Sequence, residues 1–458
     1  MHRLDDELRS LQASIVRYAM ERIALQPPPL DGPKSADELR ALYGANVTED
    51  GIGGEEALRR FVEGYAPATL SSDHPRFLAF VPVAPTKAAV LFDMIVSASS
   101  ISGTSWLEGA GAVYLENEAL RWLADLIGFP ETAGGTFLSG GSLANLSGLH
   151  AARQAAKERL GGVRPDRYRI LASTEAHSSI RTAADVMDLE VVEVEVNDPG
   201  RLRGEDLVRT WAKLTDAERN SVVAVVATAG TTNAGLVDAL DEVADFAEVN
   251  GLWMHVDAAY GGAALASHLR ERFRGIERAG SVVIDPHKWL FAPFDAAAIV
   301  YRDPNVARRA LTQEAAYLDE INRAPDWNPS SYGYHLSRRV RGLPFWFSLA
   351  THGTRRYREA IEASITLAHE SAHEIERRPY LELAIEPELS VVVFRRLGWD
   401  AEAYERWSRQ ALVDGVGFVL PTAYRGEKLL RFCFVNPLTT LDDVRAILDT
   451  LAIDPRPW

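Results

Sequence analysis

SVVAVVATAGTTNAGLVDALDEVADFAEVNGLWMHVDAAYGG, residues 221–262, decides the fold. Its first run, SVVAVVAT, is short and apolar throughout and reads as a buried strand; LVDALDEVADFAEVNG is helical, and LWMHV is a second strand. Outward from this unit the same alternation runs from about residue 130 to 300. Further candidate strands are GGTFLS, YRILAS, LEVVEVEV, SVVID and AAAIVYR, with helical stretches such as LANLSGLHAARQAAKERL between them. Strand, helix and strand repeated in this way build an α/β domain with a mainly parallel seven-stranded sheet flanked by helices. Such sheets bind ligands beyond the carboxyl ends of their strands, so the chemistry is expected along that edge.

The flanks read differently. Leu4, Leu8, Leu11, Ile15 and Tyr18 make one apolar stripe on an N-terminal helix, which the prolines of QPPPLDGP terminate. A helix so isolated is expected to bury its stripe on another domain or subunit. Both signs of charge on its polar face argue against a membrane or calmodulin-like role. Towards the C-terminus, Ile361, Ile365, Ala368, Ala372 and Ile375 stripe a helix. Two strand-like runs follow, LSVVVFRR and KLLRFCFV, then a helix over TTLDDVRAILDTL. The expected organisation is an N-terminal helical segment (1–75), a large α/β domain (76–355) and a small α+β domain (356–458).

Composition excludes several classes of function. The 458 residues are 47% hydrophobic and 25% charged, with no apolar run of the roughly 18 residues a membrane helix needs. The polar, acidic start MHRLDDELRS is unlike a secretory signal, and a cytoplasmic protein is expected. A formal charge of −15 argues against a nucleic-acid partner. The lone cysteine, Cys433, allows no disulfide framework and no multi-cysteine metal site, and no metal is expected. Within KLLRFCFV it reads as a buried, inert thiol.

The strongest local signal is IDPHKWL, residues 284–290, where a strand ends in a proline turn and Lys288 stands between His287 and Trp289. A free lysine has a pKa near 10.4 and is a poor nucleophile at neutral pH. Burial beside an aromatic disfavours its ammonium form, and condensation with an aldehyde removes the charge. A surface lysine lying over Trp289 fits the same motif. Upstream, Asp257 ends the strand LWMHV, where a carboxylate can hold a heterocyclic nitrogen protonated; a helix cap or an ion pair would also explain it. Ala259 would turn a small face towards the same crevice. TFLSGGSLANLSGLHAAR reads as strand, glycine turn and a helix opening at Ser142, whose free amides and dipole suit a phosphate. It is neither a Walker loop nor a dinucleotide fingerprint. His177 in STEAHSSI follows another strand and can stack on a flat ring or simply meet solvent. Thr228 ends SVVAVVAT as a hydroxyl beside the cofactor or as a turn former. Singly these readings are open. Together, a phosphate turn, a stacking histidine, a carboxylate and a lysine at strand ends of one sheet point to pyridoxal phosphate.

The motifs HPRFLAFVP, SGGSLAN, EAHSSI, ATAGTTNAG, HVDAAYGG, DPHKW and RFCFVNPLTT occur in family order over roughly residues 70–445. In them the chain resembles the group II pyridoxal-phosphate decarboxylases, which include aromatic-L-amino-acid and glutamate decarboxylases. The resemblance implies fold type I of the pyridoxal enzymes and a homodimer on which the N-terminal helix packs. It also implies decarboxylation of an L-amino acid to an amine. Lys288 would bind the cofactor covalently, Asp257 pair with its ring nitrogen and His177 stack on its ring. Gly141 and Ser142 would hold the phosphate with help from His287, and Thr228 would lie near ring and substrate. Tyr317, in AAYLDE, occupies the place of a mobile-loop tyrosine that protonates the substrate carbon. The composition of NRAPDWNPSSYGYH, just beyond it, reads as a flexible loop.

For the substrate pocket, the resemblance implies an apolar wall from Phe80, Val81 and Pro82. Ser72 and Thr104 stand where the animal aromatic enzymes carry large aromatics, and Gly353 would leave room for a bulky ring. Aromatic substrates are expected over acidic ones, for which Arg76 would be the candidate partner. The alternatives are an aldehyde synthase of the same family, a decarboxylase of acidic amino acids, a phospholyase, and a non-catalytic pyridoxal-binding regulator. A phospholyase would be expected to carry a membrane anchor, and the regulator would need a DNA-reading extension that the sequence does not contain.

Overall fold

The alternating runs close into one seven-stranded sheet in the computed structural model, which describes residues 2–197, 200–323 and 326–455. Its strands are β1 (Gly134–Leu138), β2 (Tyr168–Ser173), β3 (Leu189–Val194), β4 (Val222–Thr228), β5 (Trp253–Asp257), β6 (Ser281–Ile284) and β7 (Ala297–Tyr301). They lie in the order β1-β7-β6-β5-β4-β2-β3. The pairs β2–β3, β2–β4, β4–β5 and β5–β6 are parallel, whereas β7 runs antiparallel to both β6 and β1. That reversal follows from the connection after β6, which returns to the sheet without a crossover helix. Every residue of β4 is buried, as expected for a strand covered on both faces, which explains why its sequence lacks polar alternation.

The parallel direction brings the carboxyl ends of β1, β2, β4, β5 and β6 to one edge. Register fixes the neighbours there: Thr228 pairs with Asp257, and Asp257 with Val283 one residue before the end of β6. The helix Gly141–Arg159 packs across the sheet behind this edge, and Gly148 is where it meets β5. A Cβ at Gly148 would lie 2.4 Å from Cε1 of the buried His255 ring. Gly148→Ala is therefore expected to destabilise the chain by about 1–3 kcal/mol through overpacking. Chemical denaturation checks this; a loss below about 0.5 kcal/mol would mean that helix and ring separate freely.

A second, antiparallel sheet follows in the order β10-β11-β9-β8, from β8 (Leu381–Ile385), β9 (Val391–Arg396), β10 (Pro421–Tyr424) and β11 (Glu427–Cys433). Only β9 and β11 are legible as apolar runs; β8 and β10 are half-covered edge strands with one buried residue each. The striped helix is longer than its stripe: Leu343–Glu376, with Ile361, Ile365, Ala368, Ala372 and Ile375 all buried. The expected boundary at residue 355 thus falls inside a helix, just beyond a break at Gly353, where φ is 74°. Leu78 is joined to the small sheet on both sides, donating from N to Phe418 O (2.9 Å) and accepting from Cys433 N (3.1 Å).

The N-terminal helix spans Asp6–Ala24 and buries none of its residues within the chain. Ile15, Val16 and Met20 remain exposed. One expectation is corrected. Ala324 and Pro325 of NRAPDWNPSSYGYH lie outside the described residues, but the stretch beyond them is pinned rather than loose. Trp327 stacks on Tyr332 at 3.9 Å and donates Nε1 to Gly135 O (3.2 Å). Asn328, buried, accepts from Trp106 N (2.9 Å). Polar composition signals a turn there, and the two aromatic rings anchor it. Among the described residues no helix is long and apolar enough to cross a membrane.

Candidate active site

A cavity of about 410 Å³ opens at the carboxyl edge of the large sheet. Its wall brings together Phe80, Val81, Gly141, Ser142, His177, Thr228, Asp257, Ala259, His287 and Lys288, residues from six separate segments of sequence. Asp257 and Lys288 therefore share one crevice. Lys288 is no surface lysine draped on its neighbour: Trp289 is fully buried and stacks on Tyr260 at 5.4 Å. The Lys288 Nζ instead lies 2.9 Å from Asp285 Oδ2. Burial disfavours its ammonium, but the Asp285 carboxylate, with Asp257 behind it, outweighs that and holds the Lys288 pKa above its ordinary value. The adjacent His287 is pushed down by burial, so its imidazole is neutral near pH 7, with Nδ1 2.7 Å from Ala296 O.

Asp257 is fixed at both oxygens. Oδ1 accepts from Ala259 N (3.1 Å) and Oδ2 from Asn145 Nδ2 (2.9 Å). The same Asn145 nitrogen donates to Ser179 Oγ (2.9 Å), and Ser179 Oγ lies 2.8 Å from His177 Nδ1. Since Ser179 N also donates to Nδ1 (3.2 Å), that ring atom is an acceptor. Behind Asn145, its Oδ1 meets His255 Nε2 at 3.0 Å, while Ser281 Oγ lies 2.7 Å from His255 Nδ1 and accepts from Trp253 Nε1 (2.9 Å). Burial pushes the His255 pKa down to about 4, so a neutral imidazole completes this chain. Asp257 and His177, 80 residues apart in numbering, are thus oriented by one amide.

The turn at Ser139–Ser142 forms another wall. No side chain caps the first turn of the helix Gly141–Arg159, which leaves its leading amides available to an anion. A Cβ at Gly141 would come within 2.9 Å of Asp285 Oδ2 and 3.3 Å of the Ala259 Cβ, so only glycine lets the turn sit this close. An uncapped helix start, a doubly held carboxylate and a lysine on one cavity wall fit the phosphate, ring nitrogen and aldehyde of pyridoxal phosphate.

Several residues singled out in the sequence, Ser72 among them, stand off this wall. Tyr317 lies in the short turn Ala316–Leu318 with its ring 73% exposed, off the cavity wall of its own chain. Pro82 is buried behind Val81. Thr104 belongs to a loop contact, its carbonyl accepting from Ser330 N (3.2 Å). Gly353 is exposed, and its positive φ serves the helix break. Conversely, the sequence reading passed over Asp285, Asn145, Ser179, Thr232, Tyr260 and Phe294, which also line the cavity. Asp285 had a usable signal, a carboxylate one turn before the lysine at a strand end. Asn145 had none, because its partners come from two distant segments, Ser179 from one and His255 and Asp257 from the other.

Fold and site together define a pyridoxal-phosphate enzyme. The pyridoxal-dependent decarboxylase conserved domain matches residues 62–397, and the chain belongs to that family of amino-acid carboxy-lyases. It is 29% identical over 457 residues to an aromatic-L-amino-acid decarboxylase of Bacillus atrophaeus, covering 97% of this chain and 94% of the relative. It is 30% identical over 464 residues to an L-2,4-diaminobutyrate decarboxylase of Rhizobium meliloti (strain 1021), covering 98% and 92%. The crystal structure of Oryza sativa TDC with PLP and tryptamine superposes with a TM-score of 0.90 at 25% identity, covering 99% of this chain and 98% of that one.

Proposed function

We propose that this chain decarboxylates an aromatic L-amino acid to its amine, with Lys288 as the covalent anchor of the cofactor. The observation that carries the substrate class is the charge on the cavity wall. Among the described residues lining it, Lys288 is the one lysine or arginine, and both carboxylates are engaged, Asp257 by Asn145 and Ala259, Asp285 by Lys288. A second substrate carboxylate would enter without a cationic partner. Arg76, the candidate for acidic substrates, is bound to Asp443 at 2.7 Å and is not on the wall. Phe80 and Phe294, by contrast, line the cavity with 60% and 61% of their surface exposed.

Bound pyridoxal phosphate supplies an electron sink for the pair released when the bond from Cα to the carboxylate breaks. The chain's residues do the rest. The Gly141 and Ser142 amides hold the phosphate together with His287, and Ala259 and Thr228 pack at the ring. Asp257 keeps the ring nitrogen protonated, and His177 covers the ring face. Phe80 and Val81 orient the side chain, and Lys288 displaces the amine product. Tyr317 is proposed as the proton donor to Cα; with its ring in solvent, it can serve only after its turn moves over a cavity or from a second copy of the chain. A cytoplasmic homodimer is the proposed assembly, which would cover the exposed Ile15, Val16 and Met20 of the first helix.

A panel of amino acids tests the reading. Tryptophan, tyrosine, phenylalanine or their hydroxylated forms are expected to yield amine and carbon dioxide, while glutamate and 2,4-diaminobutyrate yield neither. Preferred turnover of a charged substrate would overturn the aromatic assignment, and ammonia with peroxide in place of amine would make the chain an aldehyde synthase. Phe80→Ala and Phe294→Ala are expected to raise KM for the aromatic substrate by about 3- to 10-fold with little change in kcat, the size of a lost ring contact of roughly 0.5–1.5 kcal/mol.

A further inference from the structure

Asp285 has no part in the roles assigned above, yet it makes the closest polar contact of the Lys288 amine. It is locked on three sides. Its N donates to Ala259 O (3.0 Å), its O accepts from Lys288 N (2.9 Å), and Gly141 lies directly against its carboxylate. The side chain is almost wholly buried. One oxygen, Oδ2, takes the Lys288 ammonium at 2.9 Å and lies 3.9 Å from His287 Nε2; the other, Oδ1, is buried without a hydrogen-bond partner. A buried carboxylate with an unsatisfied oxygen is costly, and structures retain such groups where they serve chemistry.

We propose that Asp285 is a catalytic residue: it docks the Lys288 amine as an ammonium whenever that amine is free, and so sets the pH at which the amine takes up a carbonyl carbon. The proposal rests on the reading of Lys288 as the covalent anchor. Four groups face the amine: Asp285 and His287 on its own turn, Asp257 from β5 and Cys433 from β11. Burial keeps His287 and the Cys433 thiol neutral, so the two carboxylates supply the field. Asp257 is committed to Asn145 and Ala259, which leaves Asp285 as the counter-ion in contact. In the capture step the ammonium gives one proton to solvent and Nζ attacks the carbonyl carbon. A C=N bond forms, the carbonyl oxygen leaves as water, and no electrons are transferred. When substrate later displaces the lysine, Asp285 takes the ammonium back at the same contact.

The sign of the effect distinguishes this role from simple packing. Asp285 raises the Lys288 pKa and burial lowers it, so removing the carboxylate makes the amine neutral at lower pH. The test mixes cofactor-free protein with pyridoxal phosphate between pH 6 and 9 and follows the absorbance rise near about 420 nm characteristic of the lysine-bound form. Wild-type capture is expected to quicken throughout this range. Asp285→Asn is expected to capture about tenfold faster at pH 7, since each unit of pKa is a factor of ten in neutral amine. Its turnover of substrate is expected to fall, and Asp285→Glu should restore both values towards wild type. Asp285→Asn capture at or below the wild-type rate would overturn the proposal. If that variant does not fold, a wild-type rate independent of pH from 6 to 9 overturns it equally. Failure of wild-type protein to bind pyridoxal phosphate at Lys288 at any pH would instead refute the anchor assignment itself.

Discussion

Lys288→Ala is expected to abolish decarboxylation, with turnover reduced by at least about 10⁴-fold. Two losses combine: the covalent hold on the cofactor, and the nucleophilic amine that displaces the product. The variant is also expected to fold, because Lys288 lines the cavity and its partner Asp285 can take water there in its place. An unchanged apoprotein melting temperature with no absorbance band near about 420 nm would fit a chemical role. A variant that keeps both the band and the turnover would place the anchor elsewhere.

Asp257→Asn has the next largest expected effect, a fall in kcat of roughly 10²–10³-fold, the usual size when one preorganised electrostatic partner is removed. The asparagine keeps the volume but presents an amide nitrogen, a donor, to partners that themselves donate hydrogen bonds. One of the donors now on the carboxylate, Asn145 Nδ2 at 2.9 Å or Ala259 N at 3.1 Å, then loses its acceptor. That unsatisfied donor is expected to cost about 1–3 kcal/mol of stability as well. Reconstitution with cofactor methylated at its ring nitrogen separates the two effects. The methyl group fixes the positive charge without help from residue 257, so it is expected to recover kcat while leaving the stability loss in place. Recovery of neither would mean that Asp257 acts by holding the architecture rather than the charge.

What was legible in the sequence follows from local physics. The central strands of the large sheet, β4 above all, are apolar runs because both faces are covered, and strand ends carry the chemistry because parallel strands share one carboxyl edge. Lys288, Asp257, Gly141 and His177 therefore stood out, and the structure gathers them on one wall. The edge strands β8 and β10 escaped notice because half-exposed strands carry no apolar run. The supporting polar chain from Trp253 through Ser281, His255 and Asn145 to Ser179 was invisible for a different reason. Each member is ordinary in its own segment; strand pairing joins His255 to Ser281, and the stacking of helix on sheet, permitted at Gly148, brings Asn145 to His255. Pocket residues placed by resemblance lie in different surroundings within the chain. Phe80 and Val81 face the cavity, whereas Thr104 and Gly353 are committed to a loop contact and a helix break. A polar run was read as flexible because composition does not reveal that Trp327 and Tyr332 stack within it.

The most direct test is to load the protein with pyridoxal phosphate, reduce the carbon–nitrogen link with borohydride, digest, and locate the pyridoxyl mass by tandem mass spectrometry. The modification is expected on a single peptide, at Lys288 beside Trp289. A pyridoxyl group on any other lysine, or on none, would contradict the account.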